Sequence, residues 1–239
     1  MADKKHDEGQ PFTRRPLIYG RAKGKALSPR QQSLFADLLP RVAVPVEGVA
    51  AGSLDPQSLF GRVLKIHLEV GFGGGEHLAA RAAAAPETGF IGCEPFINGV
   101  AKALTGIEEG PLDNIRLHHG DARDVLDVLK SASLDLVYIL YPDPWPKTRH
   151  NKRRFIGPDT LTLLARVIRP GGILRIASDI PDYIKWTDAE IAGNAQFTCL
   201  TPDAASRAIP PEGWPGTRYE AKAIREGRTP AYLEFERNA

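Results

Sequence analysis

The sequence is poor in cysteine and has no long apolar segment. Only two cysteines occur in 239 residues, and Cys93 and Cys199 both lie within apolar stretches. They suit buried thiols in a reducing compartment better than a disulfide framework or a zinc site. No run reaches the roughly 18 apolar residues of a membrane-spanning helix, and residues 1–10 lack the apolar core of a signal peptide. We therefore expect a cytoplasmic protein with no membrane segment and no metal site.

A strong net charge is also missing. The chain carries 31 Lys and Arg residues against 29 Asp and Glu residues, which gives a formal charge of +2. Binding to a polyanion must therefore come from local clusters. Residues 1–30 are basic with little apolar periodicity and predict a flexible arm, which is either a solvated tail or a source of phosphate contacts. The length favours one further domain, over residues 31–239.

Short apolar runs alternate with helical segments along the rest of the chain, which is typical of βα units in a parallel sheet. Ser28 and Pro29 mark the start of a first helix. Strands are predicted over 63–68, 89–93, 115–118, 134–140, 172–177, 197–200 and 232–235. Helices are predicted over 76–85, 95–109, 125–129, 158–168 and 183–192. The fold class is therefore α/β, with a Rossmann-like, doubly wound, mostly parallel sheet of seven strands.

A glycine-rich turn joins the first of these strands to an alanine-rich helix. The segment reads Glu-Val-Gly-Phe-Gly-Gly-Gly from residue 69 and contains Gly71, Gly73 and Gly75. Glycines at this place let a ligand approach the backbone closely, as in nucleotide-binding turns. The turn predicts a cofactor site, although glycines also occur in turns for purely geometric reasons.

Three acidic residues follow three successive strands and indicate which cofactor binds. Glu69 would repel a pyrophosphate and attract the sulfonium and ammonium groups of S-adenosylmethionine. Glu94 lies where a carboxylate accepts hydrogen bonds from ribose hydroxyls, and Asp121 lies where an acceptor would bind an adenine amino group. Each of them alone has a second interpretation as a helix N-cap or a loop residue. Together they favour S-adenosylmethionine over a dinucleotide.

The fourth strand leads into a proline-rich loop, Tyr-Pro-Asp-Pro-Trp-Pro-Lys, over residues 141–147. Its three prolines fix the backbone around one acid, Asp143. Ligands of open α/β sheets bind beyond the carboxyl ends of the strands near the topological switch, which is where this loop would lie. We therefore predict a functional site at this loop, with Asp143 as its candidate catalytic residue.

A basic run directly follows this loop and predicts contact with nucleic acid phosphates. After Lys147, its members are Arg149, His150, Asn151, Lys152, Arg153 and Arg154.

These motifs resemble those of the bacterial tRNA (guanine-N7)-methyltransferases, over most of the chain from about residue 61. The most specific matches are residues 142–145 with Lys147, the basic segment 149–154, and Thr-Arg-Tyr-Glu at residues 217–220. The resemblance implies transfer of a methyl group from S-adenosylmethionine to N7 of guanine 46 of tRNA, with Asp143 at the cofactor site beside Glu69, Glu94 and Asp121. It also implies a guanine site made of Lys147, Asp179, Thr217, Arg218, Tyr219 and Glu220, and tRNA binding by segment 149–154. Arg218 and Tyr219 depart from the Lys-Phe common in the family, and proline at 146 replaces histidine or lysine.

Guanine N7 has a lone pair and no proton, so methylation needs no prior deprotonation and positioning should dominate catalysis. Our hypothesis is that Asp143 and Glu220 accept hydrogen bonds from the guanine N1–H and amine while Asp179 assists. An exocyclic-amine methyltransferase and a non-catalytic RNA-binding protein on a nucleotide-binding fold remain as alternatives. The sequence leaves open whether the protein is a monomer or a homodimer.

Overall fold

The computed structural model describes residues 24–62, 64–110 and 112–239. The predicted basic arm therefore lies outside the described residues up to residue 23. The described remainder of that segment contacts a helix of the domain, because the Gly24 amide donates to Asn98 Oδ1 at 2.8 Å. The first helix begins at Pro29, as predicted, and the Ser28 side chain caps it by accepting from the Gln31 amide.

The described residues form one seven-stranded sheet with the strand order β3-β2-β1-β4-β5-β7-β6. Strands β1 to β5 are parallel, whereas β7 runs antiparallel to both β5 and β6. This arrangement confirms the predicted fold class. The strands are β1 Lys65–Val70, β2 Thr88–Cys93, β3 Ile115–His118, β4 Leu134–Leu140, β5 Ile168–Ser178, β6 Phe197–Cys199 and β7 Ala231–Arg237.

Helices connect the strands and cover both faces of the sheet. Successive residues of β2 show this, because Phe90 and Ile91 are both buried but belong to different hydrophobic cores. The helices are α1 Pro29–Asp37, α2 Leu39–Val42, α3 Glu76–Ala84, α4 Ile97–Glu109, α5 Ala122–Val128, α6 Pro158–Val167, α7 Pro181–Ala192, α8 Ala204–Arg207 and α9 Arg218–Arg225. Short 3-10 helices span Pro56–Leu59 and Thr148–Arg153.

Several element boundaries differ from the predicted ones. Helix α5 begins three residues earlier than expected because the Asp121 side chain caps it, accepting from the Arg123 amide at 3.0 Å. Strand β5 begins at Ile168 rather than at residue 172. Helices α8 and α9 were not predicted, although Thr217 caps α9 by accepting from the Glu220 amide at 3.0 Å. A Thr-x-x-Glu sequence is a capping-box signature, and it could have revealed α9.

The strand order places the topological switch between β1 and β4, where successive βα units diverge to opposite sides. A crevice is expected at the carboxyl ends of these two strands. Within the described part of the chain, no helix is long and apolar enough to cross a membrane.

Candidate active site

The glycine turn lies between β1 and α3 and has an unusual backbone. Gly71, Gly73 and Gly75 have φ angles of 68°, 61° and 81°, in the left-handed region that side chains disfavour. Gly75 is the N-cap of α3. The turn therefore lines the carboxyl edge of the sheet with backbone rather than side chains at Gly71 and Gly73.

Glu94, at the end of β2, is fixed beside this turn. Its Oε2 accepts from the Gly73 amide at 2.7 Å and its Oε1 from the Phe96 amide at 2.9 Å. Burial raises the pKa of the carboxyl, and the two backbone donors oppose that rise. Each carboxylate oxygen has a second lone pair, so Glu94 can still accept hydrogen bonds from a ligand.

Glu69 lies within β1, two residues before the first glycine of the turn. It is 3% exposed, and its Oε2 lies 2.7 Å from Nδ1 of the equally buried His77 on α3. Glu69 is not among the residues that line the cavity described below. Its described contact joins β1 to α3.

Asp121 combines two roles. It caps α5, and it forms an ion pair with Nη1 of Arg123 at 2.9 Å. It is 7% exposed and it also lines the cavity. One carboxylate, three residues after β3, therefore starts α5 and faces the cavity.

A cavity of about 420 Å³ opens at the carboxyl ends of β1, β2 and β4. This volume is within the range of small-molecule sites. Five predicted cofactor residues line it, namely Gly71, Gly73, Glu94, Asp121 and Asp143. The carboxylates of Glu94, Asp121 and Asp143 beside the glycine backbone fit a ligand with cationic groups and hydroxyl donors. The described residues therefore fit S-adenosylmethionine.

The proline-rich loop forms one wall of this cavity and has a strained backbone at two of its residues. Tyr141 and Trp145 have φ angles of 50° and 42°, which are uncommon for residues with side chains. The Tyr141 amide donates to the Ala177 carbonyl at 2.8 Å, and Arg154 Nε donates to the Pro144 carbonyl at 2.9 Å. These contacts hold Asp143 at the cavity edge, with its side chain exposed.

The basic segment forms a 3-10 helix beside the loop, and its residues face different environments. Arg149 and Lys152 are exposed, as is Lys147 directly before the helix. His150, Asn151 and Arg153 are half-buried, and Arg153 lies over the Trp145 ring at 5.0 Å.

Arg154 differs from the rest of the predicted RNA-binding segment. It is 4% exposed, pairs with Asp182, and lies over the rings of Tyr183 and Trp186 at 5.7 and 5.1 Å. The structure thus places Arg154 inside the domain, where it anchors the proline-rich loop through Pro144. A phosphate contact would require it to leave these partners.

The residues predicted to hold guanine divide into two groups. Glu220 accepts from Trp214 Nε1 at 2.6 Å and from the Tyr232 hydroxyl at 2.8 Å, and Asp179 pairs with Arg228. Burial, together with Glu220, raises the pKa of the Tyr232 hydroxyl. The second group is at the start of α9, where Arg218 and Tyr219 line the cofactor cavity itself.

Some residues of the site were not predicted from the sequence. The cavity is also lined by Pro95, Phe96, Tyr141, Arg123 and Phe155. Trp214 was missed as well, although it holds Glu220. Pro95, Phe96 and Tyr141 follow strands β2 and β4, so their position at strand ends was the available signal, whereas Arg123 and Phe155 only flank predicted motifs.

The strand order, the antiparallel β7 and the cavity at the glycine turn are those of the class I methyltransferase fold. A family model described as "Putative methyltransferase" matches residues 64–233. Among solved structures, the chain is similar to the 16S rRNA methyltransferase KamB, with a TM-score of 0.56 and 17% identity over 80% of this chain and 96% of that chain. At this identity, the likeness shows the fold alone.

Relatives of known name are much closer in sequence. The tRNA (guanine-N(7)-)-methyltransferase of Azorhizobium caulinodans is 50% identical over 92% of this chain and 94% of its own length. That of Mesorhizobium japonicum is 47% identical over 96% and 98%. The chain belongs to the tRNA (guanine-N(7)-)-methyltransferase family. This membership confirms the resemblance drawn from the sequence and the prediction that the protein is an enzyme.

Proposed function

We propose that this protein transfers a methyl group from S-adenosylmethionine to N7 of a guanine in tRNA, acting in the cytoplasm, with guanine 46 of the variable loop as its target. The observation that carries the proposal is the shared cavity of Asp143, Glu94 and the glycine turn. A strained loop presents an acid to the same space that the cofactor residues enclose. Family membership supports the choice of tRNA and of guanine N7.

On the cofactor side, three carboxylates have separate roles in this proposal. Glu94 accepts hydrogen bonds from the ribose hydroxyls through its remaining lone pairs, and Asp121 accepts from the adenine amino group. Glu69 and its partner His77 join β1 to α3 on either side of the glycine turn, and the charge of Glu69 would favour the sulfonium. When bound, the cofactor supplies the electrophilic methyl group.

On the substrate side, the residues position guanine and stabilise charge. Asp143 and Glu220 accept hydrogen bonds from the guanine N1–H and exocyclic amine, and their charge stabilises the cation that forms as N7 is methylated. Trp214 and Tyr232 fix the Glu220 carboxylate and leave one lone pair on each oxygen for guanine. Lys147, Asp179 and Thr217 complete the proposed guanine site.

The exposed members of the basic segment bind tRNA phosphates. Arg149 and Lys152 face solvent beside the proline-rich loop, so a polynucleotide held there reaches the cavity edge. His150, Asn151 and Arg153, which are half-buried, lie next to these two residues in the proposed tRNA-binding segment. It leaves Arg154 as the internal anchor of the loop.

Incubation with labelled S-adenosylmethionine and unmodified bulk tRNA, followed by nucleoside analysis, tests this function. The expected product is 7-methylguanosine. A label in an exocyclic-amine product such as N2-methylguanosine would contradict the assigned target atom. Absence of any labelled nucleoside, with a folded protein and intact tRNA, would reject the proposed activity.

A further inference from the structure

A segment near the C-terminus crosses helix α3 and is held to it by several contacts. We call residues 213–219 the C-terminal strap. Arg81 Nη1 donates to the Gly213 carbonyl at 2.8 Å, and the Trp214 ring lies 5.0 Å from the His77 ring. Because His77 and Arg81 are four residues apart on α3, one face of that helix carries both contacts.

The strap ends directly over the glycine turn. A Cβ built on Gly73 would lie 3.0 Å from Arg218 Nη2 and 3.3 Å from a ring carbon of Tyr219. The Arg218 guanidinium lies 5.0 Å from the Tyr219 ring centroid, and both residues line the cavity. The first residues of α9 therefore belong to the wall around the turn, on the same cavity as Glu94.

Three arginines line the cavity among the described residues, and they differ in what holds them. Arg123 is paired with Asp121 and lies over the Phe155 ring at 4.7 Å. Arg153 lies over Trp145, beside the proline-rich loop. Arg218 lies beside the glycine turn, and its ion-pair partner is Glu76.

The described ion pair of Arg218 leaves room for another anion. Its Nη1 lies 3.5 Å from Glu76 Oε1, which is longer than the roughly 2.7–2.9 Å of a strong charge-assisted hydrogen bond. The side chain is 39% exposed, and a guanidinium has five donors in a planar fork. Arg218 can therefore keep Glu76 and bind a second carboxylate.

We propose that Arg218 binds the carboxylate of the methionine moiety of S-adenosylmethionine, which makes the C-terminal strap part of the cofactor site. This inference rests on the proposed function, and it moves Arg218 from the guanine side to the cofactor side. The cavity-lining carboxylates of Glu94, Asp121 and Asp143 attract the sulfonium and ammonium groups, but they repel the carboxylate of the same molecule. A guanidinium beside the glycine turn removes that conflict and matches a carboxylate in shape.

Calorimetric titration with two ligands tests the inference without any catalytic turnover. One ligand is S-adenosylhomocysteine, and the other is its decarboxylated analogue, which lacks only the carboxylate. Arg218→Gln should weaken S-adenosylhomocysteine about tenfold and leave the analogue within about twofold. Arg218→Lys should give a smaller loss for S-adenosylhomocysteine, because the charge remains without the fork.

Arg225→Gln, an exposed arginine on the same helix, is the matched control and should change neither affinity. Equal losses for both ligands, or no loss, in Arg218→Gln would overturn the inference and leave the proposed function standing. Weaker tRNA binding with unchanged affinity for S-adenosylhomocysteine would return Arg218 to the guanine side. A wild-type protein that binds neither ligand would instead contradict the proposed function.

Discussion

Gly99, in the first turn of α4, packs against the backbone of Gly73 so closely that a Cβ at position 99 would lie 2.1 Å from the Gly73 carbonyl oxygen. The same Cβ would lie 3.1 Å from Cγ of Glu94. The glycine turn is thus held by α4 as well as by β1 and α3. The absence of a side chain at residue 99 sets how near α4 approaches the cofactor cavity.

Replacing Gly99 by alanine should displace the glycine turn. A backbone oxygen at 2.1 Å cannot be accommodated by rotating a side chain, so Gly99→Ala should weaken S-adenosylhomocysteine binding at least about tenfold. Gly106→Ala on the same helix is the control, because a Cβ there would meet no described atom within 4 Å. It should leave affinity unchanged and stabilise the helix by about 0.5–1 kcal/mol. Equal affinities for the two variants would show that the turn is not held in this way.

Arg154 should matter for folding more than for RNA contact. Arg154→Gln removes the donor to the Pro144 carbonyl and the cation between two aromatic rings, and it should cost about 2 kcal/mol. Thermal unfolding should show a lower midpoint by roughly 5 °C, whereas Arg149→Gln, at an exposed position, should leave the midpoint unchanged. If both variants unfold at the wild-type temperature, Arg154 is not the anchor described.

The exposed basic residues should act on tRNA affinity. A double variant, Arg149→Gln with Lys152→Gln, should bind tRNA more weakly. The plot of log affinity against log salt should also become less steep, by about 0.7–0.9 for each phosphate that the protein no longer neutralises. The control is Lys65→Gln. Lys65 is exposed at the start of β1, and the cavity lies at the opposite, carboxyl end of this strand. Unchanged tRNA binding by the double variant would remove this segment from the RNA interface.

His67 on β1 should make stability depend on pH. It lies beside Phe90 and Tyr138, and burial lowers its pKa to about 4, although Asp135 opposes this. The folded-state pKa is below the unfolded value of about 6.5. The contribution of His67 to the free energy of unfolding therefore decreases as pH falls from about 6.5 to about 4. His67→Phe should reduce the difference in unfolding free energy between pH 7 and pH 4.5, measured in urea. An identical pH difference in both proteins would contradict this assignment.

The sequence predicted the parts of the site that depend on strand order. Parallel strands bring Glu94 and Asp121 to one edge of the sheet whatever the details of packing, so their positions after apolar runs were informative. Gly71 and Gly73 were recognisable because few residues other than glycine adopt positive φ. Proline fixed the loop around Asp143 in the same local way.

Contacts between distant parts of the chain could not be predicted in this way. Trp214 packs on His77, more than a hundred residues earlier, and no local pattern encodes that pair. Arg154 ends a basic run that looks uniformly exposed, yet Asp182, Tyr183 and Trp186 from α7 enclose it. The Thr-x-x-Glu sequence at 217–220 served both as a family motif and as a helix cap, and only the first meaning was drawn from it.

Asp143 is the residue on which the proposed mechanism depends most, because the proposal assigns methylation of N7 to charge and positioning at the proline-rich loop. The decisive measurement is the initial rate of 7-methylguanosine formation by Asp143→Asn, with tRNA affinity measured in parallel and Asp37→Asn, an exposed acid on α1, as the control. We expect a rate at least about 100-fold below wild type with tRNA affinity within about threefold, and a wild-type rate for the control. A near-wild-type rate for Asp143→Asn would contradict the proposed role of this carboxylate.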